Sequence, residues 1–229
     1  MRRFEKKKFK NLNYKIVTID NFLDKKDYDN LRNFCSQNFV LNNNKESIGD
    51  KNFNVFPNEI NNQGIIKSTI DPNLLKRLHR NYHSISMSIL KDLCPAKAEL
   101  YDYSNFSIVV TSKNSKFPIH DDIPNKLLSG VIYIHPEKNV STTFYSNKRG
   151  SNKMTIGWKI NRGVFFSRKE RETWHSYKGD GINDRIALVY NLMTNRTVEA
   201  VKAEGKNIFL SKLRYKINPY LYKYFSITI

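Results

Sequence analysis

From about Leu100 onward the chain reads as short runs rich in Val, Ile, Phe, Tyr and Thr, divided by polar turns, at 106–111, 128–134, 141–146, 153–159, 163–167 and 184–192. Short alternating or β-branched runs bounded by turn formers are the signature of strands. Ahead of this stretch the spacing differs. Residues 14–19 alternate and are β-branched, which predicts a strand; Asp24 then stands at an N-cap position, and Tyr28, Leu31, Phe34 and Cys35 recur at helical spacing to about Gln37. Asp71-Pro72 opens a second helix, whose apolar face of Leu74, Leu75, Leu78, Tyr82, Ile85, Met87 and Leu90 runs to about Leu93. Between the helices, residues 41–67 are polar, Asn-rich and interrupted by Gly49, Pro57 and Gly64, which predicts a long loop with a short strand near 53–56. A loop of that length either covers a binding groove or is a surface insertion.

Many short strands after leading helices indicate a mainly β chain of the α+β kind, with a closed or sandwiched antiparallel sheet. The 229 residues, 39% of them hydrophobic, fit one structural domain with a substantial core. Its divisions are a basic arm at 1–13, read as a mobile solvated terminus, a strand and supporting helices over 14–98, a β-rich core over 99–193 and an extension over 194–229. In that extension aromatics alternate with cations from Leu213 to Phe225, a pattern that suits packing on the outer face of a sheet or on another subunit while the lysines reach outward.

The candidate chemistry lies in two stretches. In Phe117-Pro118-Ile119-His120-Asp121-Asp122, an extended backbone sends His120 and Asp122 to one face and Asp121 to the other. His175, from a later strand, completes two imidazoles and one carboxylate, the facial set that holds Fe(II) and leaves positions open for substrates. Arg185 follows ten residues after His175 and shares a strand face with Ala187, Val189 and Asn191, so its guanidinium needs an anionic partner in small or apolar surroundings. His79 and His83 are also four apart on the second helix, but no third ligand accompanies them, and they are expected to be exposed helix residues.

In their order and context these residues resemble the 2-oxoglutarate and Fe(II)-dependent oxygenases, particularly the prolyl-hydroxylase-like branch, over roughly residues 100–193. The resemblance implies a distorted double-stranded β-helix, the jelly-roll core of that family. It implies Fe(II) on His120, Asp122 and His175, and 2-oxoglutarate gripped at its far carboxylate by Arg185, with Tyr133 as a second candidate. The implied reaction consumes O2, releases succinate and CO2 and hydroxylates an unidentified protein side chain, such as prolyl, or a small metabolite. Asp122 argues against a halogenase, in which relatives replace this carboxylate by a small residue. A tyrosine that some relatives place ten residues before the first histidine is Val110 here, so the carboxylate pocket differs in detail. Trp174, beside the distal histidine, either shields the metal or packs at the rim.

Two other functions compete. An oxidative demethylase of alkylated nucleic acid uses the same iron chemistry, but typically presents a second arginine downstream of His175, and only Arg185 stands in that strand. A non-catalytic, cupin-like binding module is disfavoured by the retention of all three ligands and the arginine in order.

The formal charge of +18 would suit a polyanionic partner, yet Lys, Asn and Ile are all abundant, as an AT-rich coding sequence favours, and the cations are scattered rather than striped. Nucleic acid is therefore a possible but not the favoured partner. Cys35 and Cys94 show no Cys-x-x-Cys spacing and no secretory signal precedes them, so a reducing cytoplasm is expected. No apolar run approaches the ~18 residues of a membrane span.

Overall fold

The computed structural model describes residues 4–7, 12–38 and 53–225. The chain opens with strands β1 (Phe4–Lys7) and β2 (Ile16–Ile19) and helix α1 (Lys25–Asn38), followed by strands β3 (Phe53–Phe56), β4 (Glu59–Asn61) and β5 (Gly64–Lys67). Helices α2 (Pro72–Leu93) and α3 (Pro95–Ala98) lead into β6 (Tyr103–Thr111), β7 (Lys116–His120), β8 (Lys126–His135), β9 (Thr143–Tyr145) and β10 (Met154–Thr155). The last strands are β11 (Gly163–Phe166), β12 (Trp174–Lys178) and β13 (Arg185–Met193), and helices α4 (Thr197–Ala203) and α5 (Ile208–Phe225) follow.

Among the described residues the strands form two antiparallel sheets. The larger runs β1-β2-β11-β8-β13-β6-β4-β5, with β3 also on β6; the smaller runs β10-β9-β12-β7. Alternation sorts the larger sheet into two faces. Ile132, Ile134, Phe165, Ile186, Leu188 and Tyr190 join one buried cluster with the helical residues Leu31, Leu75, Leu78 and Tyr82. Their neighbours Tyr133, Val164 and Phe166 turn the other way and pack with Phe144 and Ile156 of the smaller sheet region. The helices thus cover one face, and the two sheets close on the other, giving the distorted double-stranded β-helix. Gly130 lies where this packing is tightest: an added Cβ would come within 2.5 Å of both the Phe165 ring and the Tyr190 carbonyl.

Both helices start where their caps predict. The Asp24 carboxylate accepts from the Asp27 amide at 2.8 Å, and the Asp71 carboxylate accepts from the Asn73 amide, with Pro72 following at the first helical position. Asp27 is fully buried and joins the helices, accepting from Arg77, from Asn81 at 2.9 Å and from Tyr82 at 2.8 Å. Burial alone would raise its pKa, but the hydrogen bonds from Asn81, Arg77 and Tyr82 outweigh it and hold the carboxyl below its ordinary value.

Several expectations change. In the long loop over 41–67 the short strand expected near 53–56 is present and pairs with β6, but β4 and β5 add an unexpected hairpin that continues the same sheet; the part before residue 53 lies outside the described residues. The hairpin strands were concealed by their length, three and four residues, and by the polar Glu59, Asn61 and Lys67 at their ends. Within the basic arm, Phe4–Lys7 is an edge strand on β2 rather than a free terminus. The run at 153–159 yields only the two-residue β10. His79 and His83 are half-buried: their rings lie 4.8 Å apart, and His83 packs 4.7 Å from Tyr101. The extension beyond Thr194 is helical, and it contributes a buried arginine, Arg214, to the interior.

Candidate metal centre and cosubstrate pocket

Strand β7 is the edge of the smaller sheet, where Pro118 can stand without a missing ladder bond, and it ends on His120. Its antiparallel partner β12 places His175 opposite His120, with ring centroids 4.4 Å apart. The chain then leaves the sheet, yet Asp122 keeps the face predicted by alternation and Asp121 takes the other. One atom from each of His120, Asp122 and His175 falls within 4.8 Å of the others, the one such ligand group among the described residues. Each Nδ1 points to a backbone carbonyl, His120 to Pro118 at 2.8 Å and His175 to Thr173 at 3.0 Å. A carbonyl only accepts, so each Nδ1 donates and Nε2 is the ring atom left to coordinate a metal.

The surroundings tune the same atoms. Asp122 is buried and accepts from Lys126 at 2.6 Å and from Ser129 at 2.5 Å. Burial resists its ionisation, but the charge of Lys126, reinforced by the imidazoles, prevails and holds the carboxyl well below the usual carboxylate range. Burial, helped by repulsion from His120, pushes His175 down to about 4. At neutral pH the site therefore offers a carboxylate and a neutral His175 ring, the protonation states a divalent metal requires. Lys126 and Ser129 were missed as ligand-orienting groups; the spacing of Lys126 four residues after Asp122 was the available signal.

The three candidate ligands line a cavity of about 350 Å³, a size suited to a small molecule. Arg185, Val189 and Asn191 line it from alternate positions of β13, as the strand pattern predicts. Arg185 is 7% exposed, its Nε has no hydrogen-bond partner, and no carboxylate pairs with it among the described residues. Its guanidinium lies 4.0 Å from the Tyr177 ring centroid. Tyr133 is fully buried: its ring stacks on Trp158 at 4.3 Å and its hydroxyl accepts from the Thr142 amide at 3.2 Å. The tyrosine that lines the cavity beside Arg185 is Tyr177, two residues after His175 and on an alternation face that β12 alone could have revealed. Trp174 is buried away from the cavity, donating through Nε1 to the Arg171 carbonyl at 3.0 Å.

The fold described above is shared with solved structures of prolyl hydroxylases. Among solved structures it is similar to a prolyl-4-hydroxylase from Pseudomonas putida, with 10% identity over 80% of this chain and 94% of that one and a TM-score of 0.56. A viral collagen prolyl hydroxylase from Paramecium Bursaria Chlorella virus-1, solved as a 2OG complex, matches over 78% of this chain and 96% of its own, at 13% identity and a TM-score of 0.50. A prolyl 4-hydroxylase from Phytophthora capsici matches over 79% of this chain and 59% of its own, at 12% identity and a TM-score of 0.53. No protein-family model matches the sequence, and no curated protein matches it. At these identities the likeness establishes the fold, and the chemistry rests on this chain's own residues.

Proposed function

We propose that the protein is a non-haem Fe(II) and 2-oxoglutarate-dependent dioxygenase that hydroxylates a protein side chain, such as prolyl, or a small metabolite, releasing succinate and CO2. The observation that carries this reading is that the His120, Asp122 and His175 ligand set and the buried guanidinium of Arg185 line one cavity. Two imidazoles and a carboxylate on one face suit Fe(II) with open positions. The unpartnered Arg185 Nε in an apolar wall suits an anionic end group, because a desolvated charge is stable only when paired.

When bound, Fe(II) and 2-oxoglutarate supply O2 activation by oxidative decarboxylation. The chain supplies binding, orientation and dryness. Arg185 would hold the distal carboxylate by charge-assisted hydrogen bonds, with the Tyr177 ring lying against its guanidinium. Ser129 and Lys126 fix the Asp122 carboxylate, and the Pro118 and Thr173 carbonyls fix the two rings. Phe166, Val131 and Val189 keep the cavity wall apolar, which strengthens each ionic contact. Phe53 and Phe117, with ring centroids 4.8 Å apart, link the larger sheet to the smaller one across the cavity.

The test is succinate release from 2-oxoglutarate with a library of prolyl peptides and small metabolites, run beside His175→Ala. Metal-dependent turnover that rises with one substrate class and vanishes in the variant is the expected result. Equal succinate release by both proteins, with no metal-dependent binding of 2-oxoglutarate, rejects the reading.

A further inference from the structure

The loop after His120 has left its sheet, yet Asp122 must be held to within a fraction of an ångström for a three-ligand site to work. Lys126 and Ser129 fix its carboxylate, while its backbone and its neighbour Asp121 are held by contacts that lead into the C-terminal extension. Arg214 of α5 donates through Nη2 to Asp121 at 2.5 Å and through Nη1 to Glu170 at 2.9 Å. The same guanidinium lies 5.9 Å from the ring centroid of Trp174, the neighbour of His175. Asp121 also accepts from the Arg171 amide at 2.8 Å, so the segment before β12 and the segment after β7 meet on one carboxylate.

A second arm runs through α4. Its C-cap residue Glu204 accepts from Arg168 Nη1 at 2.6 Å on both oxygens, from Lys97 at 2.6 Å and from the Glu170 amide at 2.8 Å. Arg168, fully buried, then donates through Nε to the backbone carbonyl of Asp122 at 3.0 Å. Lys97, Arg168 and Arg214 are balanced by Glu204, Glu170 and Asp121, three cations against three carboxylates, all with side chains 7% exposed or less. A buried cluster of this kind is weak evidence for stability, because desolvation offsets most of the attraction, but its geometry is stiff. It touches the residue before one ligand, the carbonyl of that ligand and the residue before another.

We propose that helices α4 and α5 form a clamp that sets the geometry of the metal centre, with Arg214 and Glu204 as positioning residues acting through Asp121 and Arg168. This rests on the metal-site reading above. The clamp explains why Asp121, aimed away from the cavity, carries a charge, and why a cationic extension sends an arginine inward.

The test is Co(II) titration of the full chain, followed by visible absorption, which needs no turnover. Removing a partner that orients ligands costs roughly 10–100-fold in metal affinity, so Arg214→Gln should weaken Co(II) binding by that factor. Arg214→Lys keeps the buried charge but cannot span Asp121 and Glu170, and should weaken it by less; it is the deciding variant if Arg214→Gln does not fold. Asp27→Asn, in the separate buried cluster between α1 and α2, should lower the melting midpoint while leaving the Co(II) dissociation constant at its parental value. Folded Arg214 variants with parental affinity, or an equal loss in Asp27→Asn, overturn the clamp. Equal Co(II) binding by the parent and His175→Ala instead overturns the metal-site reading, and the clamp with it.

Discussion

At the scale of single residues, the candidate metal ligands are each directed by a neighbour, whereas Arg185, which bonds Tyr177, keeps one buried donor unmatched. Its Nε is buried without a partner, which is costly unless a ligand satisfies it. Arg185→Ala should therefore raise the 2-oxoglutarate constant about ten- to hundredfold, since a hydrogen bond to a charged group is worth ~1.5–3 kcal/mol. Metal affinity should stay near that of the parent. A folded, metal-binding Arg185→Ala protein with an unchanged 2-oxoglutarate constant removes the arginine from the site. The two tyrosines separate in the same assay. Tyr177 lies against the guanidinium at 4.0 Å, whereas the Tyr133 hydroxyl is engaged by Thr142. Tyr177→Leu should raise the constant more than Tyr133→Phe; the reverse order, measured by titration with 2-oxoglutarate, would show that Tyr133 is the carboxylate contact.

At the scale of elements, helix α2 carries a pH response that its sequence did not announce. Burial, with repulsion from His83, lowers His79 from 6.5 to about 4, and burial also lowers His83 and His135. The unfolded chain takes up these protons first as pH falls. The stability that the neutral folded form contributes is thus complete above about 6.5 and is lost as pH falls towards about 4. His79→Leu should flatten the decline of melting temperature across that window; an unchanged slope in a pH series of thermal melts rules out this assignment. Legibility follows the same physics. Helices α1 and α2 were readable because a buried stripe and an N-cap both recur at fixed spacing, and β8, β11 and β13 because their residues are buried on both faces. Strands β4, β5, β7 and β12 were harder: short edge or solvated strands carry polar residues, and β7 contains Pro118. His120, Asp122, His175 and Arg185 were legible because each sits in or beside an alternating run. Arg168, Glu204 and Arg214 were not, since the hydrogen-bond partners that hold them lie 34 to 107 residues away and no local period brings them together.

At the scale of the whole molecule, the charge of +18 is the property that a second function would have to use. No helix among the described residues is long and apolar enough to cross a membrane. A surface that binds nucleic acid should concentrate available cations around the cavity mouth. Lys126 lines the cavity but is committed to Asp122 at 2.6 Å. In the extension, Arg214 is buried in ion pairs with Asp121 and Glu170 and is withdrawn from any phosphate. A protein that neutralises several phosphates loses affinity linearly with the logarithm of salt, because each contact releases condensed counterions. Random oligonucleotides should therefore bind weakly, mainly through the basic stretches at 2–10 and 212–223, and binding should nearly vanish at physiological salt. The check is a salt series on the full chain with lysines of those stretches changed to glutamine, leaving Arg214 intact, beside succinate release with methylated oligonucleotides. Tight binding that survives both the substitutions and physiological salt, with turnover stimulated by the oligonucleotide, would place the nucleic-acid demethylase ahead of the hydroxylase of protein or small-molecule substrates.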